Sequence, residues 1–181
     1  GCMIAEGAAS DWAGILLRDD MGYGKGVNAS GFACFALAMI VSRLLGDRML
    51  DHFGPALTVK LGAYIGGALW GAAILIAVPL SQSHPLPALI IINVGFIAVG
   101  FGIGPMFPAF ILAAGATPGV APSVAIARVG VIGIAGYFFG PTLTGLISEV
   151  TSLPVALFFP IVMLFLSGYL SRTIHTEKDR H

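Results

Sequence analysis

From Leu61 to Ser171 the chain runs through four long apolar stretches in which only Arg128 and Glu149 carry a full charge. A water-soluble domain must cover its surface with charged and polar side chains, and a segment of this length with two charges cannot. Stretches of about 20 apolar residues instead match a hydrocarbon core roughly 30 Å thick, crossed at about 1.5 Å per residue. With 57% of residues hydrophobic and 10% charged, the chain reads as an all-α, polytopic membrane protein. The alternating pattern of a membrane β-barrel is missing. The formal net charge of +0 gives no basic field for a nucleic-acid partner.

Hydropathy predicts six helices, over about 1–17, 27–45, 56–78, 88–113, 123–147 and 154–170. Between them lie a polar loop over 18–25, a charged turn over 46–54, a proline-bearing loop over 81–87, an uncharged loop over 115–122 and an exit loop over 148–153. A polar tail occupies 172–181. The chain starts at Gly1 without a recognisable signal peptide, and its first apolar run is soon interrupted by Glu6 and Asp11. That run reads as the second half of a spanning helix, so the chain is expected to be a fragment whose first helix is truncated at Gly1. If the helices alternate, Arg43, Arg48, Lys60, Arg128, Arg172, Lys178 and Arg180 fall on one side, against Arg18 and Lys25 on the other. The excess of Lys and Arg then assigns the charged turn and the C-terminal tail to the cytoplasm.

Glu6 and Asp11 are the leading candidates for chemistry. A carboxylate deep in a membrane costs roughly 2.5–3.5 kcal/mol by insertion scales, so it is kept for a partner or a cavity. A spacing of five residues turns the two about 140° apart on a helix, so they do not form one acid–base pair. Glu6 is the deeper and the better candidate for proton coupling, whereas Asp11, beside Trp12, lies closer to the outer surface. Asn93, inside the fourth apolar span, is a candidate to face a substrate path, set against an interhelical hydrogen bond. Cys2 and Cys34 sit in apolar context and read as packing residues. Nothing in the pattern calls for a metal or a cofactor.

The run from Ser42 to Gly54 is the strongest motif. It holds Arg43, Gly46, Asp47 and Arg48, followed by Asp51-His52-Phe53-Gly54, with Gly54 supplying a tight bend. This resembles the loop signature of the major facilitator superfamily (MFS), an Asp-Arg-x-Gly turn between two membrane helices. Asp47 stands where a glycine is usual, His52 where arginine is usual and Pro55 where a basic residue follows, as in the degenerate second copy of that signature. Gly136-x-x-x-Gly140-Pro141-x-x-x-Gly145 resembles the glycine–proline segment on the fifth and eleventh helices of such transporters. Pro141 removes a backbone bond and kinks the helix, while the glycines admit a neighbour. Glu6-Gly-Ala-Ala-Ser-Asp-Trp12 is similar to the seventh-helix segment of a bacterial subgroup related to fucose-type sugar permeases.

The resemblance covers nearly the whole chain. It implies the C-terminal six-helix half of an MFS fold in a bacterial inner membrane. The expected partners are membrane lipid, a missing N-terminal six-helix half, and a small solute that includes sugar-like molecules but is not fixed. The implied function is secondary transport by alternating access, with a gate in the charged turn; the depth of Glu6 in turn makes it the candidate for proton coupling. The alternatives are a complete six-helix protein that dimerises as a half-transporter or pore, an intramembrane enzyme, and a structural scaffold. An enzyme is disfavoured: Asn28-Ala-Ser-Gly31 superficially resembles the serine segment of rhomboid proteases, but His52, His84, His175 and His181 all fall in loops or the tail. Gly100-x-Gly-x-Gly104 lies in an apolar run before Pro105 and is not a dinucleotide loop.

Overall fold

The computed structural model describes Gly1–Ile174. Among those residues all regular structure is helical. Helix α1, Cys2–Ile15, continues as a π-helical turn over Leu16–Asp20. A short turn at Val27–Ala29 leads into α2, Ser30–Leu44. Helix α3, Gly46–Leu61, joins α4, Gly67–Leu80, through a π-helical turn at Gly62–Gly66. Then follow α5, Pro85–Ile103, and α6, Met106–Gly115. The long α7, Pro122–Val150, is followed by the short α8, Leu153–Ala156, and by α9, Phe158–Leu170. Five stretches are long and apolar enough to cross a membrane: Val27–Leu44, Gly46–Leu80, Pro85–Gly115, Pro122–Val150 and Leu153–Thr173. Together with α1 they form the six-helix bundle of a polytopic membrane protein.

Local chemistry explains the helix ends and the tolerated polar groups. Helices α5, α7 and α8 start with proline in their first turn, where an N–H would have no helical partner. Hydroxyls inside the spans donate to carbonyls of their own helix: Ser10 to Glu6 O (2.8 Å), Thr144 to Gly140 O (2.9 Å) and Ser167 to Met163 O (2.9 Å). Lipid offers no competing partner, so such local bonds keep the hydroxyls satisfied.

The spans begin and end within about three residues of the hydropathy reading, and three differences have a local physical cause. The first helix extends through Asp20 instead of ending at residue 17, because Met21 and Tyr23 donate their N–H groups back to Leu16 and Leu17. The charged turn is a short helix over 46–53 that breaks at Gly54 (φ 74°, ψ 162°), and Pro55 opens the membrane helix beyond it. The fourth span is two helices, since Pro105 lacks an N–H and the chain turns at Gly104–Pro105. Of the tail, Arg172 falls in the last short turn, Ser171–Thr173, and residues 175–181, including Lys178 and Arg180, lie outside the described residues.

Helix α1 packs against α2, α7 and α9; α2 lies along α5, α5 along α4, and α4 against α9. Trp70, Phe35, Phe96, Leu16, Leu17, Ile92 and Leu164 are fully buried between them. The outward faces are also apolar, with Leu37, Leu75, Ile132, Phe138 and Val150 exposed, as lipid or a second bundle requires. Coverage is uneven: 11% of the α7 window and 17% of the α2 window are buried, against 39–44% for the other three spans. The two bare helices flank α1 on either side.

Candidate functional site

Glu6 points from α1 to the last turn of α2. Its side chain is 11% exposed, and Arg43 Nη2 donates to both of its carboxylate oxygens, at 3.2 and 3.4 Å. The helices run antiparallel, so the start of α1 meets the end of α2 and a pair 37 residues apart in sequence closes. The Arg43 side chain is 46% exposed, so the guanidinium reaches from the buried carboxylate to the end of the bundle that carries the charged turn. Glu6, read as a coupling group, and Arg43, read as part of the gate, therefore form one unit.

Asp11 is exposed and faces elsewhere, as its angular separation from Glu6 requires. Together with Trp12, Ile15, Pro141, Gly145 and Glu149 it lines an open cavity of about 490 Å³ between α1 and α7. Trp12 Nε1 donates to the Pro141 carbonyl (3.0 Å), tying the indole to α7. Beyond the α1 span, Arg18 chelates Asp19 at 2.6 and 2.8 Å, and this hydrogen bonding holds the Asp19 carboxyl below the usual carboxylate range.

Asn93 bridges helices. Its Nδ2 donates to Ser30 Oγ on α2 (3.1 Å) and to Leu89 O on its own helix (2.9 Å), and its Oδ1 is buried without a partner among the described residues. The glycine–proline segment of α7 is the seat of α1. A Cβ on Gly140 would meet Ile4 O at 2.5 Å, one on Gly136 would touch Ile4 at 3.6 Å, and one on Gly145 would meet the Trp12 ring at 2.8 Å. From the other side, Gly7 fits against the Tyr137 carbonyl and the Pro141 ring. Pro141 has no N–H to offer Tyr137, so this carbonyl lacks its usual helical donor, and the missing methyl of Gly7 leaves room for it.

At the charged turn, Asp47, Arg48 and Asp51 are exposed and make no ion pair among the described residues, while Gly46 is buried against Pro105, 3.8 Å from a would-be Cβ. Gly54 holds the bend, and Thr58 Oγ1 reaches back to Met49 O (3.4 Å). Ser42 donates to Met39 O (3.0 Å) and its hydroxyl is packed on Gly104. Ser42, Gly104 and Pro105 lie outside the set of residues expected from sequence, although a Gly-Pro step inside an apolar run signals a break beside the turn. A larger cavity of about 840 Å³ opens between the start of α1, α6 and α7, with Arg128 its only charged lining side chain among the described residues.

The chain is homologous to part of several bacterial membrane proteins. It is 34% identical over 154 residues to an uncharacterised MFS-type transporter of Yersinia pestis, a match covering 84% of this chain and 37% of that protein. It is 28% identical over 162 residues to an uncharacterised transporter of Sinorhizobium fredii, covering 90% of this chain and 40% of the relative. Against the membrane protein MosC of Rhizobium meliloti it is 28% identical over 179 residues, covering 99% of this chain and 40% of MosC. The chain thus spans about two fifths of the length of the curated relatives it matches. No family model matches it. No solved structure matches it significantly.

Proposed function

We propose that this chain is the C-terminal six-helix half of a secondary transporter of the major facilitator superfamily, from the bacterial subgroup related to fucose-type sugar permeases. The observation that carries the reading is the 34% identity to an MFS-type transporter over 84% of this chain but 37% of the relative, the extent expected of one half. The bare faces of α2 and α7 support it, since they leave room for a second bundle on either side of α1. In this reading the turn at 46–54 and residues 172–181 are cytoplasmic, and the solute site lies near the midplane between the halves. Transport is then rocking of one half against the other. Asp11 and Asn93 are the solute-facing candidates, and Glu6 couples the cycle to protons.

The full-length protein in proteoliposomes tests this with a panel of labelled monosaccharides and an imposed inward proton gradient. Gradient-driven uptake of at least one sugar is expected, together with its loss in Glu6→Gln. Uptake that ignores the gradient, or a Glu6→Gln protein that responds to it as the parent does, overturns the coupling role. No uptake of any sugar removes the fucose-type assignment.

A further inference from the structure

The Glu6 carboxylate has one source of support. Both of its oxygens accept from Arg43 Nη2, and among the described residues no hydroxyl or backbone N–H shares them. The remaining elements packed on α1 offer no substitute. Helices α5, α6 and α9 carry no charged residue; Arg18, Asp19 and Asp20 lie at the far end of α1, where Arg18 is bonded to Asp19; and on α7 Arg128 lines the larger cavity and Glu149 the one beside Asp11. On α1 itself the nearest titratable side chain is the buried Cys2, one turn earlier. The pair is therefore a charge-assisted hydrogen bond from a single cation, and neutralising the carboxylate removes its ionic part. Arg43 stands one residue before the end of α2, beside Ser42, which is packed on Gly104, and four residues before Asp47. The carboxylates of Asp47 and Asp51 are exposed and without an ion-pair partner among the described residues.

We propose that Arg43 is the positioning residue of Glu6 in a proton-operated clasp between α1 and α2, which hands the guanidinium to the carboxylates of the charged turn when Glu6 is neutralised. A proton adds to one Glu6 oxygen, the two N–H···O contacts break, and Arg43 keeps its charge. The ionised state holds the start of α1 to the end of α2, and the protonated state lets the turn reorganise. The use of this clasp in a transport cycle rests on the carrier reading above; its pH response does not.

The test uses full-length protein in inside-out vesicles, with Phe53→Cys as a reporter in a Cys2→Ala, Cys34→Ala background. Labelling by a membrane-impermeant maleimide is measured at several pH values, each rate divided by that of detergent-unfolded protein at the same pH. The parent rate is expected to rise several-fold at acid pH, where the carboxyl takes up its proton. Glu6→Gln and Arg43→Gln should show the fast rate throughout, and Arg43→Lys should retain a pH dependence. Should the single variants misfold, the exchange Glu6→Arg with Arg43→Glu rebuilds the pair and should restore the response. A flat parent profile, or a Glu6→Gln profile that follows the parent's, overturns the clasp. Proton-driven uptake with a flat profile sinks the clasp alone, whereas a Glu6-dependent profile without uptake sinks the carrier reading alone.

Discussion

At Gly7 a single methyl group would collide with the Tyr137 carbonyl, and at Gly140 it would meet Ile4 Cα at 2.8 Å. Because the obstacle in each case is backbone, neither site relaxes by turning a side chain. Gly7→Ala and Gly140→Ala are each expected to destabilise by about 1–3 kcal/mol, read as a lower Tm by tryptophan fluorescence in detergent. Gly130→Ala on α7, with nothing within 4 Å, should leave Tm unchanged or slightly raised. Gly54 is constrained by conformation instead of space: no atom crowds it, yet φ 74° with ψ 162° is a region that L side chains rarely adopt. Gly54→Ala should cost about 1–3 kcal/mol, detectable as faster proteolysis of the turn at unchanged membrane yield.

The docking of α1 on α7 joins a row of glycine contacts to one directional bond, from Trp12 Nε1 to Pro141 O. Trp12→Phe keeps most of the ring and removes the donor, so it should cost about 0.5–1.5 kcal/mol, measurable as a small fall in denaturation midpoint. Hydropathy located every spanning element, because a bilayer imposes length and apolarity on sequence directly. It missed the break at Gly104–Pro105 and the helical form of the charged turn, since both depend on backbone conformation in runs whose polarity does not change at the break. The bend at Gly54 was legible because glycine was placed where a turn needs it. The Glu6–Arg43 pair was not: each residue carried a signal of its own, but their meeting depends on the antiparallel packing of α1 and α2, which no local spacing encodes. For Asn93 the sequence leaves a substrate path and an interhelical bond both open, because its partner Ser30 lies 63 residues away.

Across the whole molecule the apolar exterior divides into two kinds. Leu75 and Ile76 project from α4, a well-covered span, whereas Ile132 and Phe138 project from the bare α7. If α7 faces a second bundle, nitroxide labels at Ile132 and Phe138 of the full-length protein should collide little with molecular oxygen in the bilayer, and one at Leu75 should collide freely. Equal oxygen accessibility at all three would mean that α7 faces lipid. The same tight approach of backbones recurs between α1 and α7 at Gly7 and Gly140, between α5 and α2 at Gly100, which sits on the Phe35 carbonyl, and between Gly62 and Gly102. Where glycine faces meet, few side chains interlock along the axis, so such a contact resists separation more than displacement along its length. Such pairs have the geometry of a plain bearing, the one that shear uses when packed helices slide without unpacking.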